Sequence, residues 1–383
     1  MTDRNRKIQN KLKDFSDMKV IVIGTRGIPH FQGGVETHCE ELYPRLVDLN
    51  HKVHLLRRSC YVPENDHLKE YKGVELTDLF TVRSIPIETL LHTFLAVIWA
   101  RRKGTDILHV HAVGPALMVP LARMLGLRVV FTHHGPDYDR AKWGPVARFF
   151  LRTGERFGTK FANEVIVISE VIKSILVEKY NRTDTNLIYN GVTLPNLSPS
   201  LDYIELLGLK PRKYVFTLGR FVEEKGFDLL IRAFNNLNQS EYQLVIAGDA
   251  DHDAPYSRNL KKLASINNVI LTGFVKGEEL RQLFNNARLF VLPSSHEGLP
   301  ISLLEAMSYK LPVLVSDIPA NRQVSLPDGT YFISGDEDNL RNNLEDLLKQ
   351  KFETVDYDMS PYDWDKIAVQ TSAVYEKAIK KRK

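Results

Sequence analysis

Short apolar runs separated by stretches of helical periodicity recur along nearly the whole chain, and this alternation limits the fold more than any other feature. The runs KVIVIG from Lys19, HKVHLLRR from His51, DILHVHA from Asp106, RVVFTHH from Arg128, EVIVIS from Glu164 and TNLIYNG from Thr185 form a first series. Strands that are apolar on both faces are typical of a parallel sheet sandwiched between helices, and strands alternating with helices predict an α/β architecture. The pattern loosens over residues 193–213, where Pro195, Pro199 and Pro211 cluster. A second series then follows with YVFTLGR, YQLVIAGD, NVILTGF, RLFVLPS, PVLVSD and TYFIS. Two such series of similar size predict two doubly wound, Rossmann-like domains facing one another across a cleft. The expected limits are a basic tail at 1–17, a first domain at 18–198, a second at 199–362, and a C-terminal helix at 363–383 that crosses back to the first domain.

With 383 residues, of which 43% are hydrophobic and 26% charged, the chain can bury a core in each of two domains. A net charge of +4 is too small to argue for nucleic acid as a partner. Cys39 and Cys60 offer neither a disulfide framework nor metal-ligand spacing, which fits a reducing, cytoplasmic setting. Residues 1–17 are polar and lack the apolar centre of a signal peptide. The apolar stretch 87–100 carries Glu88 and His92 and is too short to cross a bilayer.

The most informative segment is Pro293–Asp317, PSSHEGLPISLLEAMSYKLPVLVSD. Leu289–Leu292 predicts a buried strand, and Leu303, Leu304 and Met307 at helical spacing predict a core-facing helix. Pro300 suits the first helical turn, which leaves Glu297 and Gly298 in the loop and puts Glu305 inside the helix. Both carboxylates then lie near the C-terminal edge of a parallel sheet, where open α/β sheets bind ligands. A helix N-terminus at that edge adds free N–H groups.

A second candidate site follows the first strand. TRGIPHFQGG precedes a helix expected from Val35 to Asn50, so N–H groups near Gly33 and Gly34 are placed to cradle a phosphate. The glycine spacing, Gly24, Gly27, Gly33 and Gly34, is not the compact G-x-G-x-x-G of a dinucleotide site. The next strand ends in Arg57 and Arg58 instead of a ribose-binding carboxylate, which leaves a reader of a 2′-phosphate as an alternative. His109 and His111 alternate on one strand face, as packing or hydrogen-bonding residues do. Of His133 and His134 at the next strand end, His134 is the preferred functional candidate because it comes later.

In the second series, GRFVEEKG puts Gly219 and Arg220 at a strand end and Lys225 at a helix start. Two cations beside helix N–H groups make a clamp for a diphosphate. DADHD, from Asp249, offers a D-x-D pattern suited to a divalent cation, but similar triplets recur at Asp137, Asp356 and Asp363. In a chain with 47 acidic residues such matches arise by chance, so no metal is expected in the reaction.

These residues together resemble the nucleotide-sugar-dependent glycosyltransferases of family 4, with the GT-B fold. The resemblance covers the chain from Lys19 to the C-terminal helix. Its most specific element is Glu297 and Glu305 at E-x7-E spacing, followed by GRFVEEKG and the Gly33-Gly34 loop. GTRGIPHFQGGVET and HHGPDYDRAKWG are similar to a bacterial, rhamnosyltransferase-like branch, with Thr37 and His38 following the G-G-x-E element. The resemblance implies that Glu297 and the N–H groups of Gly298 and Leu299 hold the donor sugar, and that Glu305 holds the ribose. Arg220 and Lys225 would neutralise the departing diphosphate, His134 would approach the sugar, and Gly34 would bring an N–H to the phosphates. It also implies retention of anomeric configuration, with no metal or other cofactor.

The expected function is therefore a retaining, metal-independent glycosyltransferase acting on a glycan or lipid-linked acceptor in bacterial surface-polysaccharide biosynthesis. A non-catalytic GT-B sensor of nucleotide-sugars, or a partner-binding subunit, is the alternative of a different class. An NADP-dependent oxidoreductase is a third reading, resting on the first loop, Arg57 and Arg58. Arg101, Arg102 and Lys103 end one helix, and Arg148, Arg152 and Arg156 recur beside Phe149 and Phe150. This basic and apolar surface suits peripheral contact with anionic membranes, weighed against ordinary helices with solvated basic ends.

Overall fold

The computed structural model describes residues 16–66, 68–82, 87–136, 138, 143–195, 197, 199–237, 241–250 and 253–381. Most of the basic tail, and Asp137 and residues 139–142 of the GPDYDRAKWG loop, lie outside them. The chain divides into two compact units, residues 1–190 with 364–383, and residues 191–363. Residues 191–198 therefore side with the second unit. Val192 N–H donates to Tyr362 O at 2.8 Å, so the segments entering and leaving that unit run side by side.

The first unit is built on eight strands: β1 (Lys19–Ile23), β2 (Lys52–Arg58), β3 (Glu70–Tyr71), β4 (Val74–Leu79), β5 (Ile107–His111), β6 (Val129–His133), β7 (Glu164–Val167) and β8 (Asn186–Leu187). Their order is β3-β4-β2-β1-β5-β6-β7-β8, all parallel except the β3–β4 pair. That hairpin is not visible in the sequence, because polar residues at 69–78 interrupt any apolar run. β1, β5, β6 and β7 are buried almost throughout, as strands covered on both faces must be. One face packs on helix Gly34–Asp48 through Cys39, Leu42, Tyr43 and Leu46, and on helix Trp364–Lys380 through Ile367, Val374 and Tyr375.

The second unit has six parallel strands: β9 (Tyr214–Leu218), β10 (Gln243–Ala247), β11 (Ile270–Gly273), β12 (Leu289–Leu292), β13 (Val313–Ser316) and β14 (Tyr331–Phe332), in the order β11-β10-β9-β12-β13-β14. Val215, Leu244, Leu289, Val291 and Leu314 meet Phe227, Leu230 and Ile231 of helix Phe227–Asn235, and Leu340 and Leu344 of helix Glu337–Lys349. The loosened stretch is not all linker, since Asp202–Leu206 forms a short helix whose Ile204 is buried.

Strand order reverses direction between β1 and β5 in the first unit, and between β9 and β12 in the second. Loops leaving two such strands diverge to opposite faces and open a crevice between them. In the second unit those loops are residues 219–226 and 293–300, which hold Arg220, Lys225 and Glu297.

Candidate active site

In the second unit, the loops after β9 and β12 are bound to each other by backbone. Ser295 N–H donates to Glu224 O at 2.9 Å, and Gly226 has φ 63° with its Cα facing Pro293. A Cβ on Gly226 would fall 2.5 Å from Pro293 O, so only glycine allows this approach. Gly219 serves another purpose: a Cβ there would meet Phe227 Cζ at 3.2 Å and Lys225 Cε at 3.3 Å, so its bareness leaves room for the lysine stem.

Lys225 is not at a helix start. It closes a 3-10 turn, Glu223–Lys225, and the helix begins at Phe227 after Gly226. The turn aims its ammonium at the neighbouring loop, where Nζ lies 2.5 Å from Glu297 Oε1, both side chains being mostly buried. The pair joins residues 72 positions apart. Arg220, half-buried, stands at the end of β9 on the same edge.

Pro300 is likewise not the first helical residue. With ψ 112° it is the N-cap of helix Ile301–Ser308, because its own backbone is extended and the helical turn starts one residue later. Glu305 lies inside the helix and is half-buried, while Leu303, Leu304 and Met307 fill the core beneath. The Glu305 carboxylate, after burial itself, helps push the Tyr309 phenol up to about 12. Gly298 O accepts from Gln323 Nε2 at 3.1 Å, which fixes the loop that carries the N–H groups of Gly298 and Leu299. Gly226→Val is expected to lower stability by roughly 1–3 kcal/mol through backbone strain and to part the two loops. Thermal melting, with nucleoside-diphosphate titration, checks it; an unchanged melting temperature and affinity would refute the tight-approach argument.

DADHD forms no ligand cluster among its described residues. Asp249 pairs with Lys261 at 2.8 Å and Asp253 with Arg258 at 2.5 Å, each carboxylate turned to its own cation.

In the first unit, Gly34 opens helix Gly34–Asp48 with Gly33 as N-cap. Its first N–H groups have no intrahelical acceptor. Gly33 has φ 146°, and a Cβ there would lie 2.2 Å from Glu36 Oε2, whereas one on Gly34 would meet nothing. Glu36 folds back over the loop and accepts from Arg26 N at 3.1 Å and Arg26 Nε at 3.2 Å. Of the paired histidines, His133 is fully buried. It accepts from Gly135 N–H at 3.1 Å through Nδ1 and donates through Nε2 to Glu155 Oε1 at 2.8 Å. Tyr138 and Tyr180 also donate to Glu155, at 3.0 and 2.7 Å. Burial pushes the Glu155 carboxyl up, but these hydrogen bonds and His133 outweigh it and hold it below the usual carboxylate range.

His134, one residue past β6, keeps part of its surface open. Its Nε2 lies 2.8 Å from His111 Nδ1, and its ring stacks on His111 and meets His38 edge-on. His111 Nε2 is hydrogen-bonded to Tyr43 OH, which also meets His109 Nδ1 at 3.0 Å. His109 Nε2 in turn lies 2.7 Å from Thr132 Oγ1. Alternation on β5 placed His109 and His111 on one face; Tyr43 and Glu155 carried no sequence signal, because only the packed helices bring them there.

Arg57 and Arg58 are engaged elsewhere. Arg57 is fully buried against Asp78 at 2.6 Å and Asp66 at 2.8 Å, and Arg58 pairs with Glu88 at 3.0 Å. Cations neutralised in this way do not form a 2′-phosphate reader, and the oxidoreductase reading loses its support.

Two family models match the chain: Glycosyltransferase Family 4 over residues 32–194 and Glycosyl transferases group 1 over residues 205–360. The chain belongs to glycosyltransferase family 4. It is a nucleotide-sugar-dependent glycosyltransferase. An uncharacterized glycosyltransferase of Methanocaldococcus jannaschii is 24% identical over 94% of this chain and 99% of its own length. The UDP-Gal:alpha-D-GlcNAc-diphosphoundecaprenol alpha-1,3-galactosyltransferase of Escherichia coli is 29% identical over 58% of this chain and 60% of its own. Among solved structures, sucrose-phosphate synthase from Thermosynechococcus elongatus superimposes with a TM-score of 0.76 at 20% identity, covering 94% of this glycosyltransferase and 98% of that chain. Anabaena HepE in complex with UDP and glucose gives 0.71 at 17%, covering 94% and 95%. These likenesses establish the GT-B fold of the glycosyltransferase. No helix among its described residues is long and apolar enough to cross a membrane.

Proposed function

We propose that this glycosyltransferase moves a sugar, with retention of anomeric configuration and without a metal, onto a glycan or lipid-linked acceptor in bacterial surface-polysaccharide biosynthesis. The observation that carries the reading is the Lys225–Glu297 pair at the strand-order reversal of the second unit, with Arg220 beside it on the strand edge and Glu305 inside the following helix. Donor binding separates that pair: the diphosphate takes the lysine, and the sugar hydroxyls take the carboxylate. Each ion then exchanges one partner for another and is never left desolvated alone, which keeps the cost of opening the site small. Arg220 and Lys225 stabilise charge as it develops on the leaving diphosphate, which is where electrostatic catalysis acts. His134 contacts the sugar, and the Gly33-Gly34 helix start offers N–H groups to the phosphates. The Escherichia coli relative, named for transfer from UDP-Gal onto a diphosphoundecaprenol-linked sugar, supports a lipid-linked acceptor. Incubation with UDP-, GDP-, dTDP- and ADP-sugars and a diphosphoundecaprenol-linked acceptor, followed by proton NMR of the product, tests the proposal. An anomeric coupling matching the donor's is expected. Turnover with inversion would overturn retention, and donor binding without turnover on any acceptor would favour the sensor reading.

Membrane contact belongs to the same proposal. Helix Pro145–Phe161 exposes Val146, Phe149 and Phe150 to solvent, at 70%, 67% and 42%, with Arg148, Arg152 and Arg156 exposed around them. Apolar side chains ringed by arginines suit an anionic lipid surface. Co-sedimentation with anionic liposomes is expected at low salt and should fall several-fold in Phe149→Glu. Equal recovery of that variant and the parent would exclude this helix as the contact.

A further inference from the structure

The histidines around His134 make a second, separate arrangement in the first unit. His38 comes from helix Gly34–Asp48, His111 ends β5, and His134 follows β6, the strand hydrogen-bonded to β5. One ring nitrogen from each lies within 4.8 Å of the other two. Each outer nitrogen of the two deeper rings already has a partner. His38 Nδ1 lies 3.0 Å from Asn190 Oδ1, an atom that only accepts, so Nδ1 carries the proton and the lone pair is on Nε2. His111 Nε2 meets the Tyr43 hydroxyl, which leaves Nδ1 facing His134 Nε2 at 2.8 Å.

We propose that His38, His111 and His134 bind one divalent cation of the zinc class through three imidazole nitrogens, with a fourth coordination position open. Neutral imidazoles without a carboxylate select zinc, copper or nickel over magnesium or calcium. The partners on the outer nitrogens match the way metal-binding histidines are normally oriented, by donating their other N–H to a fixed oxygen. At present one proton is shared between His111 Nδ1 and His134 Nε2. Cation binding moves the His111 proton to Nε2, where the Tyr43 oxygen accepts it. Tyr43 then donates to His109, no proton leaves the protein, and both inner nitrogens become ligands. The two rings need separate by only about half an ångström to reach the spacing set by zinc–nitrogen bonds of about 2.0–2.1 Å.

A cation on His134 Nε2 fixes the ring and adds positive charge beside the position proposed for the sugar, so the loaded enzyme should transfer sugar more slowly. That consequence rests on the reading of His134 as a sugar contact; the binding does not. The test uses the full chain, free of any histidine tag and treated with EDTA, titrated with Co2+ and read by visible absorption. One four-coordinate Co2+ per chain is expected, displaced by Zn2+, with a raised melting temperature. Tyr43→Phe should weaken binding about ten- to a hundredfold. His38→Leu and His134→Gln should lose the saturable band while melting cooperatively without metal. Folded wild-type protein with no saturable band, or a band unchanged in both of those variants, would overturn the site. Binding that leaves transfer unimpeded keeps the site and removes His134 from the sugar contact. A transfer defect in His134→Gln without any Co2+ binding does the reverse.

Discussion

Lys225→Ala is expected to lower kcat about ten- to a hundredfold while changing donor KM much less. Scission of the sugar–phosphate bond concentrates charge on the diphosphate, so a cation at that position binds the transition state more tightly than the intact donor. One charge-assisted hydrogen bond of roughly 1.5–3 kcal/mol corresponds to that loss of rate. The pairing with Glu297 sharpens the expectation, because removing the lysine also takes a 2.5 Å ion-pair partner from a mostly buried carboxylate. The variant should therefore melt at a lower temperature, and Lys225→Ala with Glu297→Gln should recover stability without recovering rate. Glu305→Ala should behave oppositely, with a raised KM and nearly unchanged kcat, since a ribose contact gains no charge during reaction. Steady-state kinetics with matched donor and acceptor decide it: wild-type kcat in Lys225→Ala would mean the cation anchors the donor and takes no part in its departure.

Acidification from pH 7 to pH 5 is expected to unfold the first unit while the second remains folded. His38, His92, His109 and His134 are held near 3, and His111 well below its ordinary value, by burial first and then by neighbouring histidines or, for His92, by Arg58. Unfolded histidines take up protons below about 6.5, whereas these remain neutral in the fold, so unfolding binds protons throughout that interval. Stability fully present above pH 6.5 is thus lost progressively as pH falls toward 3. At pH 5 each contributes a loss of roughly 2 kcal/mol, and several together rival the whole stability of a typical domain, about 5–15 kcal/mol. All five lie in the first unit. Urea unfolding at pH 7, 6 and 5 measures the effect; stability at pH 5 within about 1 kcal/mol of that at pH 7 would contradict neutral burial.

The alternation of apolar runs and helical stretches was enough to predict two sheets covered by helices, though not the β3–β4 hairpin, because strand and helix periodicities are local properties of a chain. Glu297 and Glu305 were legible for the same reason: one strand, one loop and one helix of a single segment carry both, and the sheet edge they occupy follows from the direction of β12. Lys225 was recognised as a cation at that edge. Its partner was not, since a contact across 72 residues depends on two loops meeting at Gly226 and Pro293. Arg57 shows the opposite limit. By sequence it is a cation at a strand end, open to a phosphate; in the fold it is buried between Asp66 of the following loop and Asp78, which the β2–β4 pairing sets opposite it. The histidines complete the division. Strand alternation put His109 and His111 on one face, but their partners Tyr43 and Tyr375 come from helices Gly34–Asp48 and Trp364–Lys380, and Thr132 and His134 from the neighbouring strand β6 and the residue after it. Local periodicity determined which way each side chain points, and packing between distant segments decided what it meets. That second decision governs which ions are neutralised, which stay neutral, and which remain available for a substrate.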